Sequence, residues 1–312
     1  MYVLGVLARR CGQILLSVVV VALLVFVLMR LLPGDPALTL LGDRATDAQI
    51  AQLHHELGLD RSILVQFWEF LIRAVTLRFG DSITLRVPVL TLIREGLPIT
   101  LMLTGMAVLM ALLIAVPLAF IAAMRPGSWI DTAIRVVSQI SLSMPVFYIG
   151  LVLLVVLAAG LHWFPVGGIG KGFLEDLYYL FLPALTLALS LSAVLLRNLR
   201  QSLIEVLQAE YVSFAIAKGL SRRVIFGRHV LRNAWISTVT LLGLHIGSLV
   251  GGAVITETVF AIPGIGRLTV DSIFSRDYAV VQGLTIVLAV LVSVVFLLVD
   301  AIQAMLDPRV GT

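Results

Sequence analysis

The sequence predicts an all-α integral membrane protein with six transmembrane helices, and three observations lead to this fold class. First, 60% of the 312 residues are hydrophobic and only 13% are charged, whereas a soluble chain has about 45–50% apolar and about 25% charged residues. Second, several apolar runs reach the roughly 20 residues that an α-helix needs to cross a bilayer core. Third, the positive charges are concentrated in some of the loops, which indicates membrane topology rather than nucleic-acid binding.

Six segments are long and apolar enough to span a membrane. We expect them at roughly residues 11–32, 97–123, 132–160, 180–197, 235–258 and 283–305. Pro117 and Pro145 lie inside the second and third segments and are expected to kink them, because proline removes a backbone donor. Arg30, near the end of the first segment, is expected to extend toward the lipid headgroups. That first segment has no small-residue cleavage site after it, so we expect an uncleaved helix.

The arginines predict which side of the membrane each loop occupies. An even number of spans puts both termini on one side, together with the basic loop 198–234. The arginines on that side are Arg9, Arg10, Arg125 and Arg309, opposite Lys171, Arg267 and Arg276. Because cytoplasmic loops carry an excess of Lys and Arg, we expect the termini and the 198–234 loop in the cytoplasm.

The remaining organisation follows from this topology. Residues 1–32 hold the N-terminus and the first span, residues 33–96 form an external segment, and residues 97–312 carry the other five spans. In the external segment, Asp47 is placed to cap a helix through "AQIAQLHHELG", and "ILVQFWEFLIRAV" at 63–75 has apolar residues at helical spacing. We therefore expect a small external helical lobe at the outer mouth of the bundle.

Two motifs that resemble catalytic sites fail in their details. "HHELG" lacks the second histidine of H-E-x-x-H, and the adjacent His54 and His55 point about 100° apart on a helix. "GGIGKG" at 167–172 lacks the Gly-Lys-Ser/Thr ending of a phosphate loop. Lys171 and Lys218 are the two lysines of the chain, and each is followed by glycine. The chain therefore has no phosphate-loop lysine and is not an ATPase of that type by itself.

The basic loop contains a segment, "AEYVSFAIAKGLSRRVIFGRHVLRN" at 209–233, that is too polar for lipid yet keeps apolar residues at helical spacing. Tyr211, Phe214, Ala215 and Lys218 fall at i, i+3, i+4 and i+7, so one face of a short helix would be aromatic and small.

Gly219 and Ser221 predict how this short helix ends and how a second one begins. Gly219 permits the positive φ that ends a helix, and Ser221 can cap a second short helix over 222–231. The pair is too short to cross the membrane. From the residues alone it either lies on anionic headgroups or docks on a cytoplasmic partner, and the two alternatives are about even.

The segment resembles the "EAA" loop of ABC importer permeases, in the form seen in the dipeptide, oligopeptide and nickel permease family. "AIAKGLS" (215–221) has the pattern A-x-A-K-G-L-S and "RHVLRNA" (228–234) continues it. The similarity keeps its order along nearly the whole chain, through "LLPGDPA" (31–37), "LGLD" (57–60), "FGDS" (79–82), "SMPVF" (143–147), "ITETVFAIPGIGRL" (255–268), "RDYAVVQ" (276–282) and "LDPR" (306–309). Ser213 stands where the general importer loop has glutamate.

This resemblance implies a permease subunit of an ATP-driven ABC importer in the bacterial inner membrane, and not an enzyme. The loop would couple the permease to a separate ATP-binding chain through Tyr211, Phe214, Ala215, Lys218, Gly219, Leu220 and Ser221. This chain would bind no cofactor, since ATP and magnesium would be held by the partners. The implied partners are a second, related permease, two ATP-binding subunits, an external substrate-binding protein and membrane lipid, with no nucleic acid.

Charged side chains inside the spans are the other candidate functional residues. Asp300 lies within the sixth span, where an unpaired charge costs on the order of several kcal/mol. Arg197 and Arg200 end the fourth span on the same side, so we expect a structural ion pair between Asp300 and one of these arginines. A role for Asp300 in substrate passage is the alternative.

His245 and Glu257 are candidate pathway residues. His245 lies near the middle of the fifth span, and imidazole is a good Ni²⁺ ligand, so it is also the candidate metal ligand. In this family the nickel-type members resemble the stretch around His245 with histidine, and the peptide-type members with glutamine. The cargo is therefore a short peptide or, alternatively, nickel, free or chelated. A channel would need no ATP-binding partner, and a membrane-bound enzyme would need a catalytic constellation that the sequence does not show.

Overall fold

A computed structural model describes residues 2–31, 41, 45–221, 224–225, 230 and 232–306 of the chain. The secondary structure of these residues consists of helices joined by loops. The described residues also contain an isolated β-bridge between Asp81 and Pro88. The helices, in chain order, are α1 (Tyr2–Leu31), α2 (Asp47–Leu57), α3 (Ile63–Val75), α4 (Val89–Met124), α5 (Trp129–Ser143), α6 (Val146–Leu153), α7 (Phe173–Leu207), α8 (Glu210–Ala217), α9 (Arg232–Val259), α10 (Ile265–Phe274) and α11 (Tyr278–Leu306).

Within the described residues, four helices are long and apolar enough to cross a membrane, and six spans result if each of two bent helix pairs counts as one. The four are Gly12–Leu31, Val89–Met124, Phe173–Leu207 and Tyr278–Gln303. The two bent pairs are Trp129–Ser143 with Val146–Gly160, and Thr238–Gly247 with Leu249–Val259. Each of the six predicted spans overlaps one of these helices or helix pairs, although the ends differ.

The third predicted span is broken at Pro145, as the sequence analysis expected. Helix α5 ends at Ser143, Met144 is extended, and Pro145 begins α6 after a bend of 105°. The cause is local, because proline disfavours the helical conformation of the residue before it. Helix α6 continues as a π-helix over Leu154–Gly160. A kink was also predicted at Pro117. There α4 continues as one helix, without the break that is seen at Pro145.

The chain divides into two compact units, and the first comprises residues 1–100 and 263–294. Its core contains Ala22, Phe26, Phe70, Phe79, Val89, Ile93, Ile265, Val280, Leu284 and Ile286. A buried hydrogen bond of 2.6 Å from the Ser82 hydroxyl to the Asp277 carboxylate joins the loop after α3 to the start of α11. Helix α2 begins one residue earlier than predicted: Thr46 is its cap, in a reciprocal capping box with Gln49, and Asp47 is the first helical residue.

The second unit comprises residues 101–262 and 295–312, and α7 is its central helix. Two thirds of the most apolar window of α7 is buried, against α5, α6 and α9. Gly150 of α6 approaches α7 closely, because a Cβ at this position would lie 3.2 Å from the Thr186 methyl group. Helix α7 has 35 residues, far more than the predicted 180–197. The prediction followed only the apolar stretch, while polar turns extend the same helix at both ends.

Candidate functional site

The candidate coupling segment, residues 208–221, follows directly from the central helix α7. Only Gln208 and Ala209 separate α7 from α8, and their backbone amides still donate to Ile204 at 3.2 Å and Val206 at 3.1 Å. The Val212 amide then donates to Ala209 at 3.0 Å and starts α8. Both connecting residues therefore keep backbone hydrogen bonds to α7, which restricts the movement of α8 relative to α7.

The two faces of α8 differ from the prediction. Phe214 is 68% exposed and Tyr211 is also exposed, whereas Ala215 is only 6% exposed and Val212 is buried. The helical spacing predicted that Ala215 shares a docking face with the aromatic residues. In the structure Ala215 lies at the edge of this face, about 40° around the helix from Tyr211, and it packs inside the chain on the side of the buried Val212. The open surface carries Tyr211, Phe214, Lys218 and Leu220.

Gly219 ends α8 as predicted, in the left-handed region with φ +75°. The Leu220 amide donates to the Ala215 carbonyl at 3.3 Å, which is the six-to-one hydrogen bond of a Schellman cap. Ser221 begins the next turn through its backbone carbonyl, which accepts from the Ile225 amide at 3.1 Å. The rest of the second predicted helix, 222–231, lies mostly outside the described residues.

Arg200 on α7 binds Asp131 of α5 and not the predicted Asp300, while the alternative pairing of Asp300 with Arg197 stays a prediction. The Arg200 Nε and Nη2 atoms donate to the two Asp131 oxygens at 2.6 and 2.8 Å. The Gly127 amide donates to the same carboxylate at 2.9 Å, and the Arg135 Nε lies 3.6 Å away. Asp131 is 0% exposed and the Arg200 side chain is 16% exposed. This bidentate pair fastens α5 to α7 ten residues before α8 begins.

One feature of the sequence points to a structural role for Asp131. "GSWID" places Asp131 three residues after Ser128, and the Ser128 side chain caps α5 by accepting from the Asp131 amide at 3.2 Å. A carboxylate in the first turn of a helix is stabilised there. The pattern identifies a helix start, but it does not identify the arginine 69 residues away that pairs with this carboxylate.

A basic cavity of about 550 Å³ lies between α5 and α7. Its polar lining consists of Thr132, Arg135, Ser138, Gln139, Arg197, Arg200 and Gln201. A second cavity of about 420 Å³ shares Leu142, Arg197 and Gln201 with it and extends to Leu241 of α9. Asn198, which also lines the second cavity, has a buried side-chain oxygen without a hydrogen-bond partner in the described structure.

The other charged candidates occupy different environments. Glu257 is fully buried near the end of α9, His245 is half-buried in the same helix, and Asp300 is half-buried in α11. Among the described residues, no group of three His, Cys, Asp or Glu side chains is placed to hold a metal ion. The pathway roles of His245 and Glu257 stay predictions.

Comparison with known proteins identifies the family. Residues 115–312 match the family described as the binding-protein-dependent transport system inner membrane component, and residues 3–104 match its N-terminal family. The chain therefore belongs to the permease family of ABC importers. It is a multi-pass membrane subunit for transport and not an enzyme, and ATP hydrolysis belongs to separate subunits of such importers.

Similar proteins are named as peptide permeases. The oligopeptide transport system permease protein AppB of Bacillus subtilis is 38% identical over 93% of this chain and 94% of its own length. The probable D,D-dipeptide transport system permease protein DdpB of Escherichia coli is 36% identical, over 98% and 97%. The di/tripeptide transport system permease protein DppB of Pseudomonas aeruginosa is 37% identical, over 98% of each chain.

Two solved structures share the fold at low sequence identity. The methionine ABC transporter MetNI in an inward-facing conformation matches with a TM-score of 0.55 and 17% identity, over 70% of this chain and 97% of that one. An amino acid ABC transporter crystallised with histidines matches with a TM-score of 0.52 and 16% identity, over 70% and 94%. These likenesses concern the helical architecture alone.

Proposed function

We propose that this chain forms half of the translocation pathway of an ABC importer for short peptides. The observation that carries the proposal is the α8 segment, which presents exposed aromatic side chains on a rigidly capped helix directly after the central helix α7. The peptide assignment is supported by relatives of 36 to 38% identity that are named as peptide permeases over nearly their whole length.

The complete importer would contain this chain, a second related permease, two ATP-binding subunits that hold ATP and magnesium, and an external substrate-binding protein. We place six spans in the bacterial inner membrane, with both termini and α8 in the cytoplasm and residues 33–96 on the external side. Support comes from the arginines, which are most concentrated on the side of the α7–α9 connection.

The proposed mechanism is alternating access driven by the ATP-binding subunits. Phe214 and Tyr211 would enter a cleft of an ATP-binding subunit, so that closure of that subunit displaces α8. Because only Gln208 and Ala209 connect α8 to α7, the displacement would pass to α7. The Asp131–Arg200 pair would then carry it to α5 and to the bend at Pro145. The basic cavity between α5 and α7 would form part of the inner mouth of the pathway.

Nickel, free or chelated, is the alternative cargo, motivated only by His245. The test is uptake by cells that express the whole importer and lack other peptide and nickel transporters. Labelled dipeptides, tripeptides, longer peptides and Ni²⁺ are supplied separately. We expect accumulation of peptides that requires ATP and the binding protein. Accumulation of Ni²⁺ with no peptide uptake would reject the peptide assignment, and uptake that continues without the ATP-binding subunits would reject the importer mechanism.

The cavity has its own test within this assay. Arg197 is exposed and lines both parts of the recess, so Arg197→Gln should change peptide uptake while the complex stays assembled. Arg73→Gln, at an exposed arginine of the first unit, is the matched control. Equal uptake by both variants and the unmodified importer would remove the cavity from the pathway.

A further inference from the structure

Helix α3 (Ile63–Val75) carries apolar side chains on its outward side as well as against the protein core, unlike a surface helix that faces water. Five exposed apolar residues share this outward side, Leu64, Val65, Trp68, Ile72 and Val75, while Ile63 in the first turn is exposed on another side. At 3.6 residues per turn these five side chains fall within an arc of about 100°, and no charged residue of α3 falls in that arc. Leu64 is 81% exposed and Val75 is 84% exposed. A surface helix of a soluble protein places polar residues at such positions.

The polar side chains of α3 lie outside this arc, in a stripe of their own. Gln66, Glu69 and Arg73 fall on one side of the helix and line a cavity of about 120 Å³ in the first unit. Arg30 of α1 donates a hydrogen bond to Gln66, and Arg61 forms an ion pair with Glu69. Because Gln66 and Glu69 are held in these contacts, neither side chain adds polarity to the outward side of α3.

The depth of α3 follows from its contacts with α1. The rings of Phe67 and Phe70 lie 5.1 and 6.1 Å from the ring of Phe26, measured between centroids. Phe26 belongs to the apolar span Gly12–Leu31 and lies five residues before its end. At a rise of 1.5 Å per residue this is about 7.5 Å below the end of the span. Helix α3 therefore packs against α1 at the level of the hydrocarbon boundary and not above the membrane.

We propose that α3 is embedded in the membrane interface, with its outward apolar face in contact with lipid acyl chains. Lipid is the occupant that fits, because α1 exposes apolar side chains over the same turns, at Leu24, Val27, Leu28 and Leu31. The indole of Trp68 suits this depth, since tryptophan is enriched where hydrocarbon meets headgroups. In the proposed topology this is the external leaflet, so part of the segment between the first two spans is a lipid anchor and not a lobe in water.

The test places a genetically encoded fluorescent amino acid at one position of this chain in the complete importer in lipid nanodiscs. The positions are Leu64 and Val75 on the outward face of α3, with Ala51 on the exposed side of the polar helix α2 as the matched control. Peptide-stimulated ATPase activity checks that each labelled complex is assembled. We expect Leu64 and Val75 probes to lose most of their fluorescence in brominated lipids and little with aqueous iodide. The Ala51 probe should show the opposite pattern.

Either of two results would overturn the proposal. Quenching of the Leu64 and Val75 probes by iodide but not by brominated lipid would place α3 in water. Protection from both quenchers would mean that a protein covers the face. A photo-crosslinking amino acid at Ile72 gives an independent measurement in cells: lipid contact leaves the chain at its own size, whereas a cross-link to the second permease or the binding protein adds the mass of that partner.

Discussion

Removing the arginine of the Asp131–Arg200 pair should lower the free energy of unfolding more than neutralising its carboxylate, because the two side chains differ in burial. Asp131 is 0% exposed, whereas Arg200 is 16% exposed and borders a cavity of about 550 Å³. Arg200→Gln leaves a buried carboxylate without its bidentate partner, and only Arg135 at 3.6 Å and the Gly127 amide remain near it. Breaking a buried pair costs about 3–5 kcal/mol, so we expect a loss near the lower end of this range. Asp131→Asn leaves a cation that water in the cavity can reach, so we expect roughly 2 kcal/mol, below that range.

Arg135→Gln is the matched control, because Arg135 lies 3.6 Å from the same carboxylate but its side chain is 53% exposed. Because the Arg135 side chain is exposed and its contact is long, we expect its loss to cost about as little as the loss of a surface pair, about 0–1 kcal/mol. The assay is the melting temperature of the purified complex, where about 1 kcal/mol corresponds to roughly 2–4 °C in a domain of about 150–250 residues. The double variant Asp131→Asn/Arg200→Gln should lose less than the sum of the single variants. Additive losses, or equal losses for Arg135→Gln and Arg200→Gln, would refute the reasoning.

Three further predictions concern the coupling segment and the fifth span. Phe214→Ala should leave the complex at normal abundance in the membrane but lower peptide-stimulated ATPase activity by about tenfold or more. This is the effect expected when an interface anchor worth about 2 kcal/mol is truncated. Unchanged stimulation would exclude Phe214 from docking. Ala215→Arg should instead lower the abundance of the permease, because Ala215 is buried within the chain, and a stable but uncoupled variant would contradict this. Gly219→Val should weaken coupling through strain of about 1–3 kcal/mol at φ +75°, while Gly168→Val, at the positive φ of another loop, should leave coupling unchanged. His245→Gln should keep peptide uptake in proportion to the abundance of the permease, because glutamine preserves a hydrogen bond. Glutamine is a poor Ni²⁺ ligand, so loss of Ni²⁺ uptake alone by this variant would favour the metal cargo.

Local patterns in the sequence were sufficient for several features of this protein. Composition predicted a helical membrane protein, and apolar runs predicted where its spanning helices lie, because lipid requires every spanning backbone to satisfy its own hydrogen bonds. Gly219 and Pro145 were identified correctly for the same kind of reason, since their backbone conformations depend on the residue itself and its neighbours. The order of short motifs was enough to indicate the importer family.

Other features were decided only by the tertiary structure. Arg200 pairs with Asp131, 69 residues away, because packing of α5 on α7 brings these two groups together, and sequence spacing offered Asp300 equally well. Ala215 turns inward although its neighbour Phe214 turns outward, since the side of α8 that is covered depends on what packs against it. Helix α3 showed an amphipathic pattern in the sequence, but a pattern does not say which solvent is outside. Its contact with Phe26 sets its depth beside α1, and that depth makes lipid the solvent for its apolar face.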